Sequence, residues 1–165
     1  MAKDSSFDVV SEVDMQEVDN AYRQTARELA QRYDLKDSGA TIELSKSDKL
    51  FTLNAPADFV ARQVVDVLNG KLVKRGVDLK TVKWDDPQAA SGGTVRLTGR
   101  IVEGIDQVTA KRINKDIKDT KAKVKVTIDG DHLRVSSPSK DALQGVISFL
   151  RDTDYGQPLQ FTNYR

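Results

Sequence analysis

The sequence predicts an α+β protein of two tandem βαββαβ units, and three observations carry the prediction. The order strand, helix, strand, strand, helix, strand can be read twice along the chain. Sliding the first half by 83 positions superposes Asp48 on Asp131, Leu50 on Leu133, Asp58 on Asp141, Val60 on Leu143, Val64 on Ile147 and Val67 on Leu150. Between the halves, residues 85–93 read DDPQAASGG, the composition of a linker. A chain of 165 residues, 38% hydrophobic and 31% charged, can fill one ordinary core or two small ones.

In the first unit, residues 7–13 (FDVVSEV) are rich in β-branched side chains and form a strand. Residues 15–33 then place Val18, Tyr22, Ala26, Leu29 and Ala30 at helical spacing. Asp14 stands at the N-cap with Glu17 three residues on, a capping box with Asp in the usual Ser or Thr place. Residues 40–45 alternate Ala40, Ile42, Leu44 against Thr41, Glu43, Ser45, and residues 50–53 answer them across a polar turn, which predicts a hairpin. Pro56 opens a helix whose apolar stripe is Phe59, Val60, Val64, Val67, Leu68 and Leu72, and Gly76 stops it. A short strand at residues 79–84 closes the unit.

The second unit repeats the order. Residues 94–102 form a strand, and residues 105–119 a helix with Ile105, Val108, Ile113 and Ile117 inward. Residues 122–128 and 133–136 make a hairpin around Asp129-Gly130-Asp131, residues 140–151 a helix that buries Leu143, Ile147 and Leu150, and residues 159–164 the last strand. Each unit is therefore expected to be ferredoxin-like, a four-stranded antiparallel sheet with two helices on one face and the other face open. The units are expected at residues 1–90 and 91–165, with the strand at residues 7–13 free to pair in either sheet, since exchange between similar units is topologically cheap.

The absence of cysteine excludes disulfides and thiolate metal sites and suits a reducing cytosol. The opening MAKDSSFDVV holds no apolar run of signal-peptide length, and no run of about 18 apolar residues occurs anywhere, so a cytoplasmic protein is expected. The net charge of +1 hides an asymmetry: residues 1–90 carry 13 Lys and Arg against 16 Asp and Glu, whereas residues 91–165 carry 13 against 9. The basic character is local to the second half.

Strand parity sorts that half into two faces. Val95, Leu97 and Ile101 oppose Thr94, Arg96, Thr98 and Arg100. Ala122, Val124, Val126 and Ile128 oppose Lys121, Lys123, Lys125 and Thr127, and Leu133 and Val135 oppose His132, Arg134 and Ser136. If these strands share one sheet, Arg96, Arg100, Lys121, Lys123, Lys125 and Arg134 lie on its open face. Cations so close repel unless an anion balances them. A phosphate-bearing ligand is one balance. The other is internal, because Asp8, Glu12 and Glu43 are outward acidic positions in the first half and could pair with the row. Arg96 and Arg100 also make an R-x-x-x-R spacing, which on a strand sends both guanidinium groups to one side, where they can clamp phosphates or a guanine edge.

Catalytic constellations are not legible. His132 is the only histidine and has no nucleophile or orienting carboxylate in a recognisable arrangement; the glycines of SGG and DGD do not follow a phosphate-loop or dinucleotide spacing. Asp129, Asp131 and Asp141 do not make a metal-binding spacing, so no metal or cofactor is expected. Lys71, Lys74 and Arg75 are accounted for by the end of a helix, where cations complement the dipole. RNA-recognition motifs share the βαββαβ order but stack bases on aromatic rings of their central strands, and LRVSSPS here contains none.

The opening SFDVVSEVD, the helix end KLVKRGV, the stretch IKDTKAKVKVTIDGDHLRV and above all the terminal GQPLQFTNYR resemble the bacterial YajQ family along essentially the whole chain. The resemblance implies two ferredoxin-like domains in a cytosolic, nucleotide-binding protein without a known catalytic activity, with cyclic di-GMP or nucleic acid as ligand. It supplies no binding motif that can be carried over residue by residue. The expected function is thus a non-catalytic binder of a cyclic dinucleotide or of RNA or DNA through the basic face. The competing expectation is a regulatory adaptor whose basic face meets a protein or the other domain.

Overall fold

The computed structural model of the chain describes residues 3–165. In chain order the elements are β1 (Ser5–Val10), α1 (Met15–Gln31), β2 (Thr41–Ser45), β3 (Leu50–Ala55), α2 (Asp58–Lys74), β4 (Val82–Trp84), β5 (Gln88–Ala89), β6 (Val95–Ile101), α3 (Gln107–Asp119), β7 (Lys125–Asp129), β8 (His132–Ser137), α4 (Lys140–Arg151) and β9 (Gln160–Thr162). They form two antiparallel sheets: one of four strands in the order β7-β8-β1-β9, and one of five in the order β2-β3-β6-β4, with β5 also paired to β6. With four helices, this is a pair of ferredoxin-like units.

The expected division into residues 1–90 and 91–165 is replaced by an exchange of strands. One compact unit is Val13–Val102; the other joins the segment up to Glu12 to Glu103–Arg165. β1 lies between β8 and β9, and β6 lies between β3 and β4, so each unit receives its first strand from the other repeat.

Two side-chain fits favour this arrangement. Asp8 of β1 stands opposite Arg134 of β8. The outward residues of β6 are Arg96, Thr98 and Arg100, and in that slot one of them would face Arg134 in place of a carboxylate. Conversely, Gly99 of β6 stands opposite Trp84 of β4 and Phe51 of β3, and the Trp84 ring lies across it. In the same slot β1 would bring Phe7 or Val9 under that ring.

The Trp84 ring and that of Phe51 are stacked with centroids 6.2 Å apart. A Cβ at Gly99 would sit 2.8 Å from two carbons of the indole. Gly99→Val is accordingly expected to destabilise the protein by about 1–3 kcal/mol through overpacking. A lower urea midpoint at unchanged m-value is the measurement that checks it.

Alternation in the strands and the helical stripes build one core per unit. Ile42, Phe51, Leu53 and Leu97 meet Val18, Leu29, Val64 and Leu68 in the Val13–Val102 unit. Phe7, Val9, Leu133 and Val135 meet Ile113, Ile117, Leu143 and Ile147 in the other. Asp14 caps α1 as expected, accepting from the amides of Gln16 and Glu17. Three stripe residues depart from expectation, and the first, Ala30, is exposed near the end of α1. Phe59 is exposed because α2 turns its buried stripe through Val60, Val64, Val67, Leu68 and Leu72, and Val108 is exposed because α3 buries Ala110, Ile113 and Ile117.

Candidate functional site

The exchange of strands divides the six cations expected on one face. Arg96 and Arg100 lie on β6 in the Val13–Val102 unit; Lys121, Lys123, Lys125 and Arg134 belong to the other unit. Lys121 and Lys123 are not on a strand at all. Thr120 ends α3, Lys121 takes a left-handed conformation (φ 62°), and β7 begins only at Lys125.

Arg134 is on the open face of its sheet, yet its charge is already answered. Its Nε donates to Asp8 Oδ1 at 2.9 Å and its Nη2 to Asp8 Oδ2 at 3.4 Å, while Asn163 Nδ2 donates to Asp8 Oδ2 at 2.7 Å. The hydrogen bond from Arg134 holds the Asp8 carboxyl below the usual carboxylate range, against the opposing effect of burial. Asp8 itself is 3% exposed. Here the internal balance is realised: the acidic residue named as an alternative partner is the one that neutralises this cation. Lys125 is exposed and stands opposite Ser136 at the sheet edge, where lysines also discourage pairing with other strands.

The open face of the Val13–Val102 sheet is different. Thr41, Asn54, Arg96 and Gln88 form one row across β2, β3, β6 and β5. Glu43, Thr52 and Thr98 form the next, and Ser45, Leu50, Arg100 and Lys83 the third. Arg96 and Arg100, four residues apart on one strand, are separated by about 13 Å. Arg96 Nε donates to Asn54 Oδ1 at 3.4 Å, a neutral partner that leaves its charge unbalanced. Arg100 Nη2 lies 3.3 Å from Asp85 Oδ1, but its side chain is 63% exposed, and such an open pair is worth little.

Lys83 is the residue that strand parity in the second half missed. It sits directly opposite Arg100 in the β4–β6 ladder, so their Cβ atoms are about 5 Å apart. Val82 and Trp84 on either side pack towards the core. The alternation Val82, Lys83, Trp84 carried the signal for its outward direction, but its meeting with Arg100 depends on the strand exchange. Beside the cations, Thr52, Thr98 and Asn54 are neutral polar neighbours, and Glu43 adds one carboxylate to the same face on the edge strand β2. Among the described residues no group of three or more His, Asp or Glu is placed to hold a metal ion, and no helix is long and apolar enough to cross a membrane.

The fold is thus that of a protein with two strand-exchanged ferredoxin-like units, one of which presents an open face with Arg96, Arg100 and Lys83. Comparison with known proteins gives the family. The model described as "Nucleotide-binding protein YajQ-like" matches residues 5–165, and the chain belongs to that family. A protein of Desulfitobacterium hafniense, called a nucleotide-binding protein, is 50% identical over 165 residues, covering all of both chains. One from Alkaliphilus oremlandii with the same designation is 44% identical over the same full span. One from Nocardia farcinica is 49% identical over 163 residues, 98% of this chain and 99% of its own.

Proposed function

We propose that this is a non-catalytic cytosolic protein that binds phosphodiester ligands on the open face of the Val13–Val102 sheet, with Arg96, Arg100 and Lys83 as the cationic contacts. The observation that carries the reading is the placement of Lys83 opposite Arg100. Like charges directly across a ladder cost stability, and a bound phosphate between them removes the cost. Membership of a nucleotide-binding family supports the class of ligand.

The shape of the face favours an extended single strand of RNA or DNA over a cyclic dinucleotide. Small ligands favour concave sites, whereas rows of threonine and asparagine beside arginines make a shallow track for a phosphate backbone. Without aromatic rings on the track, recognition rests on the backbone and depends little on base sequence.

The test is equilibrium titration with a single-stranded RNA of about 12 nucleotides and with cyclic di-GMP, on the natural protein and on Arg96→Ala/Arg100→Ala. RNA binding that weakens with salt and is lost in the double variant is expected. Saturable one-to-one binding of cyclic di-GMP, lost in the same variant, would transfer the site to a second messenger. Undiminished binding of either ligand by the variant would remove the face from the function and leave a protein-binding adaptor role for it.

A further inference from the structure

A separate cavity of about 250 Å³ opens in the unit that contains β1 and α4. It exists because of the end of the chain. Asn163 adopts a left-handed conformation (φ 55°), and beyond it the backbone resumes pairing with β1: Ser6 N–H donates to the Arg165 carbonyl at 3.2 Å and Arg165 N–H to the Ser6 carbonyl at 3.0 Å. The extra residue turns Asn163 onto Asp8 and swings the Tyr164 ring to the side of Phe7, with centroids 6.3 Å apart. Tyr164 therefore roofs a gap that Phe7, Leu143 and Ile147 floor, and it remains 59% exposed.

The lining joins two chemistries. Its walls are mainly apolar and include two aromatic rings. Lys140, the first residue of α4, adds an exposed cation, and Gln144 and Ser5 add neutral polar groups, whereas the side chains of Ser6 and of Arg165, paired with it, leave on the other face of the sheet with Asp8. Among the described residues the side chains of Lys140, Gln144 and Ser5 are engaged in no hydrogen bond or ion pair. The volume falls below the roughly 300–1,000 Å³ of clefts that bury a drug-sized molecule, so one ring system fits and a dinucleotide does not.

We propose that this cavity is a binding site for a planar aromatic ring carrying an anionic group, the chemistry of a nucleoside monophosphate. The ring lies between Tyr164 and the Leu143–Ile147 floor, Gln144 and the Ser5 hydroxyl meet its polar edge, and Lys140 holds the anion. The site lies in the other unit from the Arg96–Arg100–Lys83 face and goes beyond the function proposed for that face, on which it does not depend.

Amide chemical-shift mapping of the whole protein with GMP, guanosine and inorganic phosphate tests it. GMP is expected to shift the amides of Phe7, Leu143, Gln144 and Tyr164. Guanosine is expected to bind about tenfold more weakly because it lacks the charge-assisted contacts, and phosphate alone is expected to leave these amides unmoved. Lys140→Glu is expected to weaken GMP by about tenfold, with Lys140→Arg restoring it. Gln144→Trp, at an exposed position that fills the mouth without reaching the core, is expected to abolish binding while the rest of the spectrum is retained.

Three results would overturn the proposal: shifts confined to residues around Arg96 and Lys83, equal shifts with inorganic phosphate, or undiminished GMP binding by a folded Gln144→Trp protein. Because Arg96→Ala/Arg100→Ala leaves this cavity intact, loss of RNA binding in that variant with GMP shifts preserved separates failure of one site from failure of the other.

Discussion

A variant with Lys83, Arg96 and Arg100 all replaced by Gln is expected to bind single-stranded RNA on the order of 100-fold more weakly at low salt, and to lose most of the salt dependence of binding. If each cation neutralises one phosphate, the natural protein has a log–log salt slope of about −2, at roughly −0.7 per phosphate for single strands, so raising salt from about 50 to 200 mM lowers its affinity roughly 20-fold. The variant should be nearly flat over that range. Its stability should stay the same or rise by a few tenths of a kcal/mol, because the Lys83–Arg100 repulsion is gone and the open Asp85 pair contributes little. Loss of affinity and gain of stability together are what a binding face predicts. Reduced affinity accompanied by a lower unfolding midpoint would instead mark these residues as structural.

That combination separates Lys83, Arg96 and Arg100 from Arg134, which looked equivalent to Arg96 and Arg100 in the sequence. Arg96, Arg100 and Arg134 are outward residues on strands with alternating apolar partners, in the direction strand parity gives them. Parity is local, however, and says nothing about which strand lies alongside. The patterns of β1 and β6 fit the antiparallel gap in either sheet; what decides between them is long-range, in the opposition of Asp8 to Arg134 and the seat that Gly99 gives to Trp84. The element order, the Asp14 cap and the core stripes were legible because they depend on spacing within about 20 residues of chain. The site was only half legible because its membership depends on a pairing across the two repeats. The same limit explains Lys121, whose place in an alternating row continued past the strand into a left-handed turn that closes α3.

Asp8→Asn is expected to destabilise the protein by about 1–3 kcal/mol near neutral pH and to leave RNA affinity unchanged. The carboxylate is almost fully enclosed and accepts from two arginine nitrogens and the Asn163 amide, so neutralising it weakens charge-assisted bonds and releases a half-exposed guanidinium to water. The pH dependence gives a second signature. Asp8 in the folded state loses its proton below the ordinary carboxylate range, chiefly through Arg134, so the unfolded chain binds the proton more tightly. The stabilisation is then fully present above about pH 4 to 5 and disappears as the pH falls through the folded-state value, below about pH 4. The stability gap between natural protein and Asp8→Asn should therefore narrow on acidification from about pH 6 to pH 3, in denaturant titrations at each pH. A gap that stays constant over that range would show the ion pair to be energetically silent. Arg134 would then be free to serve an external anion, and the contrast drawn between the two sheet faces would fall with it.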